Sequence, residues 1–136
     1  MYINKTGKSN EELGIYLGSS MGHVPEDDLI TASDFVLLHG NGKSPSDMQS
    51  MIDQVKQSSA YKSNPMPIVY NEDNDANFAN STNNFETAVK NHVSWGYYDQ
   101  GKNNYLDGYQ SPPTDWMVDT SKKTAFFDQV KQYTAT

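Results

Sequence analysis

Cysteine is absent from the 136 residues, which excludes a disulfide scaffold, a thiolate zinc site and a thiol nucleophile. Arginine is absent as well: all ten basic side chains are lysine, against seventeen acidic ones, for a net charge of −7. Bidentate capture of phosphate or carboxylate by a guanidinium is therefore impossible from this chain. The charge balance also argues against a nucleic-acid surface. No apolar run approaches the roughly 20 residues of a membrane span, so no membrane partner is expected. No apolar stretch follows Met1-Tyr-Ile-Asn-Lys-Thr-Gly-Lys8, so no signal peptide is expected and a cytoplasmic location is the default. Leu, Ile, Val and Phe are scarce enough to raise disorder as a possibility. Nine tyrosines and two tryptophans argue instead for a folded, polar, aromatic-rich domain.

Four short apolar or aromatic runs are bounded by turn residues, the signature of buried strands. They are Leu13-Gly-Ile-Tyr-Leu17, Phe35-Val-Leu-Leu38, Ile68-Val-Tyr70 and Val93-Ser-Trp-Gly-Tyr-Tyr98. Helical stripes lie between and after them. Met48, Met51, Ile52 and Val55 follow the i, i+3, i+4, i+7 spacing, behind a Ser44-Pro-Ser-Asp47 cap. Phe85, Ala88, Val89 and His92 repeat that spacing behind Asn83 or Asn84, and Phe126, Val130 and Tyr133 do so behind Thr120 or Ser121. Between the first two strands, Pro25 to Ala32 leaves room for about two helical turns.

Alternating strands and helices predict parallel strands joined by right-handed crossovers. An eight-unit barrel of about 250 residues uses roughly 31 per unit, so this chain holds about four units. The expected fold is therefore α/β, a (βα)4 half of a TIM barrel. Residues 1–136 are read as one half-barrel domain, with 1–10 as a polar N-terminal tail.

In parallel α/β folds chemistry gathers at the carboxyl ends of the strands. Here those ends carry Ser19-Ser20-Met-Gly-His23, His39-Gly-Asn41, Asn71-Glu72-Asp73 and Tyr97-Tyr98-Asp99. His39-Gly-Asn-Gly-Lys-Ser44 imitates a phosphate loop, but Leu37 stands where the first glycine belongs, so a glycine-rich turn with Ser44 as helix cap is favoured. Asp73-Asn-Asp75-Ala-Asn77 imitates a calcium loop, yet Phe78 and Asn84 occupy its two discriminating positions. The three histidines show no ligand spacing; no metal or cofactor is expected, and His92, on the helical stripe, is read as a hydrogen-bonded core residue. Asparagine is frequent enough for the Asn80-Ser-Thr82 sequon to arise by chance. Glu72 differs: strict alternation places it with Ile68 and Tyr70 on one face, the expected barrel interior. A carboxylate at a strand end, among aromatic rings and amides, suits a glycosidase nucleophile.

The segments Ala32-Ser-Asp-Phe-Val-Leu-Leu-His-Gly-Asn-Gly42, Pro67-Ile-Val-Tyr-Asn-Glu-Asp73, Ser94-Trp-Gly-Tyr-Tyr98 and Gly108-Tyr-Gln-Ser-Pro-Pro113, followed by Trp116, resemble the C-terminal half of a bacterial family of (β/α)8-barrel glycoside hydrolases. The resemblance implies strands five to eight, with Glu72 at the nucleophile position and Trp95 on the strand where related enzymes set aromatics against sugar. His39, Asn41, Asn71, Trp95 and Tyr98 become candidate carbohydrate-binding residues. Strands one to four, with the acid/base glutamate, have no counterpart in this match.

Half a barrel leaves two open sheet edges and one bare apolar face, so a homodimer that closes eight strands is expected, or closure by a separate N-terminal half-barrel chain. In such a dimer Asp99 would face Glu72 of the partner subunit and supply a second catalytic carboxyl. A non-catalytic carbohydrate-binding or assembly module is the alternative, and a nucleotide-binding α/β domain a third reading.

Overall fold

The computed structural model describes residues 16–75, 77–97 and 117–135. Along them run β1 (Gly18–Met21), α1 (Asp27–Thr31), β2 (Phe35–His39), α2 (Pro45–Gln57), α3 (Ser59–Ser63), β3 (Ile68–Asp73), α4 (Asn84–Lys90), β4 (Ser94–Tyr97) and α5 (Ser121–Thr134). The strands form one sheet in the order β1-β2-β3-β4, every neighbouring pair parallel. Right-handed crossovers between strands in sequential order put the connecting helices on a single face. The result is the (βα)4 arrangement of half a (β/α)8 barrel. The 1–10 tail, the start of the first apolar run at 13–15, the segment from Gly108 to Pro113 and Trp116 lie outside the described residues.

Local chemistry explains α2. Ser44 caps α2 by accepting from the Asp47 amide, Asp47 accepts in return from the Ser44 amide, and Pro45 occupies the first helical position. Met48, Met51, Ile52 and Val55 turn inward and are buried. They join Val36 and Leu38 of β2, Ile68 and Tyr70 of β3, Ile30, Ala88 and Val93 in one core. Each such aliphatic side chain contributes about 2 kcal/mol by leaving water. The Tyr70 hydroxyl donates to the Met48 carbonyl at 3.0 Å, which satisfies the polar end of a fully buried ring.

Three sequence expectations need correction. Among the described residues the first strand is Gly18–Met21, after Tyr16 and Leu17 of the expected apolar run, and Tyr16 is exposed. Its position follows from pairing with β2: Leu17 O accepts from the Asp34 and Phe35 amides, and Gly18 sits opposite Phe35, where a side chain would overlap the Phe35 ring. His92 is exposed rather than part of the core. It is the left-handed residue, φ 56°, that ends α4. The His92 amide bonds Val89 O and the Val93 amide bonds Ala88 O, the paired bonds of a Schellman motif.

The third correction concerns β3. Its register against β2 runs Leu38–Tyr70 and then His39–Glu72; against β4 it runs Tyr70–Trp95 and then Asp73–Tyr97. One extra residue in β3 is thus accommodated at Asn71–Glu72, a β-bulge against both neighbours. Ile68 and Tyr70 face the helices, and so, past the bulge, does Asp73. Glu72 is thrown to the opposite face, the one shared by Phe35, Leu37, His39 and Val69. Strict alternation fails because a bulge adds one residue to a period of two.

Candidate functional site

The carboxyl ends of β2 and β3 bring three of the candidate residues together. Glu72 lies beside His39, its register partner, with Glu72 Oε2 3.8 Å from His39 Nδ1. Asn41, two residues beyond β2, donates from Nδ2 to the same carboxylate oxygen at 3.1 Å. Glu72 and His39 side chains are 33% and 28% exposed, so the carboxylate is oriented yet open to a ligand. Asn41 Oδ1 is buried without a hydrogen-bond partner among the described residues. Gly42, at φ 68°, turns the loop, and its amide donates to Asn74 Oδ1 at 3.0 Å. The loop closes as a capped turn, with Ser44 starting α2, and not as a phosphate loop.

The remaining candidates are distributed differently. Asn71 is exposed at the bulge. Trp95 lies on the helix-packed face: its indole donates to Asp73 Oδ2 at 2.7 Å, and its ring meets Phe85 edge-on at 5.4 Å and Phe78 at 6.0 Å. Tyr97 and Phe126 extend this aromatic cluster onto α5. Tyr98 and Asp99 lie outside the described residues. Among the described residues no group of three or more His, Asp or Glu side chains is placed to hold a metal ion, and no helix is long and apolar enough to cross a membrane.

Asp73 is the residue that pattern reading passes over. It is 0% exposed and accepts from Trp95 Nε1, from Asn84 Nδ2 at 3.1 Å and from the Asp75 amide at 2.9 Å. Burial pushes its carboxyl above the ordinary value, while those three donors pull the other way. Burial, together with the nearby Asp73 charge, pushes the Tyr70 phenol up as well. Three consecutive polar residues after Ile-Val-Tyr are the sequence signal for this site, because regular alternation cannot expose all of them.

Chemically, an open carboxylate with one carboxamide donor and an adjacent imidazole can accept hydroxyl hydrogen bonds, act as a base or attack an electrophilic carbon. No protein-family model and no curated protein sequence matches the chain. Among solved structures the chain is similar to a GH128 (subgroup I) endo-β-1,3-glucanase from Amycolatopsis mediterranei, at a TM-score of 0.50 and 14% identity over 88% of this chain. The match spans 60% of that enzyme's chain. At this identity the likeness defines a class of fold, glycoside-hydrolase-like and TIM-barrel-like.

Proposed function

We propose that this chain is a glycoside-hydrolase-like half barrel that binds a β-1,3-linked glucan at the carboxyl ends of β2 and β3, with Glu72 as its working carboxylate. The observation that carries this reading is the β3 bulge, which delivers Glu72 to the face opposite the described helices, beside His39, while Asn41 holds one of its oxygens. The glucan comes from the structural neighbour, whose described activity is on that polymer.

Retaining hydrolysis needs a second carboxyl about 5 Å from the first. Asp73 cannot supply it, because it faces the helices. The role is therefore assigned to Asp99, contributed by a second copy in a two-fold dimer that completes the barrel. The sheet supports this assembly: β1 and β4 are its outer strands, and Phe35, Leu37 and Val69 sit half-buried on the face away from the helices. A binding module without turnover is favoured only by the nature of the Glu72 partners described, an amide and an imidazole.

Calorimetric titration with β-1,3-glucan oligosaccharides, paired with a reducing-sugar assay, tests the reading. Binding is expected in the native chain and its loss in Glu72→Gln; release of reducing ends separates hydrolysis from binding alone. A native chain that neither binds nor cleaves the glucan would sink the proposal. Sedimentation at twice the 15.2 kDa chain mass is expected for the closed dimer, and a stable lone chain would remove the shared site.

A further inference from the structure

We infer that Asp73 is a positioning residue for Glu72: a buried carboxylate that pins the end of β3 and so decides which of two adjacent acids faces the site. The inference rests on the reading of Glu72 as the working carboxylate. Without the bulge, alternation would carry Glu72 onto the helix-packed face with Ile68 and Tyr70, and Asp73 would take the open face with Val69. The two carboxylates would exchange places.

What holds the bulge is on the neighbouring strands and on α4. A side chain on Gly40 would place its Cβ 3.0 Å from Asp73 Cβ and Cγ, and one on Gly96 would lie 3.2 Å from the Asn71 carbonyl. The extra residue is thus seated between two glycines, one after β2 and one on β4. The Gly40 amide reaches Glu72 O at 2.5 Å, which fixes the backbone at the reactive residue itself. The space left beside Gly40 is filled by the short aspartate; the longer glutamate side chain would have to displace it. Trp95 Nε1, Asn84 Nδ2 and the Asp75 amide then satisfy the Asp73 carboxylate. A buried carboxylate is costly without such donors, so their convergence selects this register over the alternative.

The same network reaches the second element of the site. Asn84 Nδ2 also donates to Lys43 O at 3.0 Å, in the loop that carries Asn41. Asn84 opens α4, directly after its cap residue Asn83. One buried cluster therefore ties β3, the start of α4 and the β2–α2 loop together, and both partners of the Glu72–Asn41 bond depend on it.

The test compares Asp73→Asn, Trp95→Phe and Phe85→Leu in the full chain. The readouts are the Asn41 side-chain amide resonances, which report its bond to Glu72, the melting temperature and glucan-oligosaccharide affinity. Asp73→Asn and Trp95→Phe are expected to shift the Asn41 amide toward its unbonded position and to weaken binding about tenfold, the scale of one lost hydrogen bond to the ligand. Phe85→Leu loosens the same aromatic cluster and is expected to lower the melting temperature with the amide unmoved. Trp95→Phe retains most of the ring packing, so it carries the test if Asp73→Asn does not fold. The inference is overturned if the folded variants lose stability while the Asn41 amide stays in place. Absence of glucan binding in the native chain would retire the reading of Glu72, whereas the amide shift would still decide the role of Asp73.

Discussion

Two carboxylates adjacent in the chain, Glu72 and Asp73, occupy opposite worlds on the two faces of one sheet. Glu72 is a third exposed, with an amide and an imidazole for neighbours. Asp73 is sealed against α4 and the Trp95 ring, with three neutral donors. The helix-packed face is a dense core that sets stability, whereas the other face has half-buried apolar side chains and carries the polar group free to meet a ligand. The sheet thus separates the proposed ligand-facing acid from the acid buried in the core, and the bulge in β3 is where the separation is made.

The largest effect should come from the core side of that comparison. Leu38→Ala, on the helix-packed face, is expected to lose about 2–5 kcal/mol in urea unfolding, by lost transfer energy and the cavity left behind. Leu37→Ala, its half-buried neighbour on the other face, should lose clearly less. Equal losses would show that the second face is as fully covered as the first.

Next come the two acids. Asp73→Ala leaves the indole N–H and the Asp75 amide without their acceptor and removes one of two from the Asn84 carboxamide, offset by no longer burying a carboxyl, for a net loss of about 1–3 kcal/mol. Glu72→Gln should stay within about 0.5 kcal/mol of the native chain, as expected of a partly exposed side chain outside the core. Should Glu72→Gln prove the more destabilising in the same unfolding assay, the assignment of faces is wrong.

The pH dependence sharpens the contrast between a buried and an exposed aspartate. Asp73 titrates above its ordinary 3.8 because burial penalises its charged form. The folded chain then holds a proton that the unfolded chain has released, so this contribution is present below that ordinary value and is lost as pH rises through the native pKa. Asp47 is held below 3.8 by its bonds to the Ser44 hydroxyl and amide. Its contribution is present above the ordinary value and lost as pH falls. Denaturation midpoints between pH 3 and 7 should therefore show native-minus-variant differences of opposite slope for Asp73→Asn and Asp47→Asn. Parallel slopes would contradict the burial of Asp73.

The smallest effect is a gain. His92 adopts a left-handed backbone, φ 56°, at the end of α4. Glycine there avoids the steric cost of a Cβ, so His92→Gly should raise stability by about 0.5–1 kcal/mol. A loss on calorimetric melting would instead show that the imidazole has a packing role.

Much of the architecture was legible because its signals are local. The Ser44-Pro-Ser-Asp47 cap and the stripe of Met48, Met51, Ile52 and Val55 mark α2 without reference to any other segment. Asn83 and Thr120 likewise announce α4 and α5 as capping residues. The misplacement of β1 was non-local, whereas that of His92 turned on a local motif. β1 is chosen by its parallel register with β2, not by its own apolar content, and Gly18-Ser-Ser-Met21 has little of that. His92 continues a helical spacing on paper, but the Schellman bonds end the helix before it.

The candidate site was legible in part for the same reason. Glu72, His39 and Asn41 stand out as polar groups at strand ends, and the fold assembles them. Trp95 also stands out, yet the register of β4 against β3 takes its indole to Asp73.

By itself the sequence determined the number and order of strand–helix units, the caps and the apolar stripes, because these depend on residues within one or two turns of each other. Only the tertiary structure decided which side of the sheet each acid occupies. That choice depends on one extra residue in β3, on Gly40 and Gly96 making room across neighbouring strands, and on donors from α4 and β4 that converge on a single buried carboxylate.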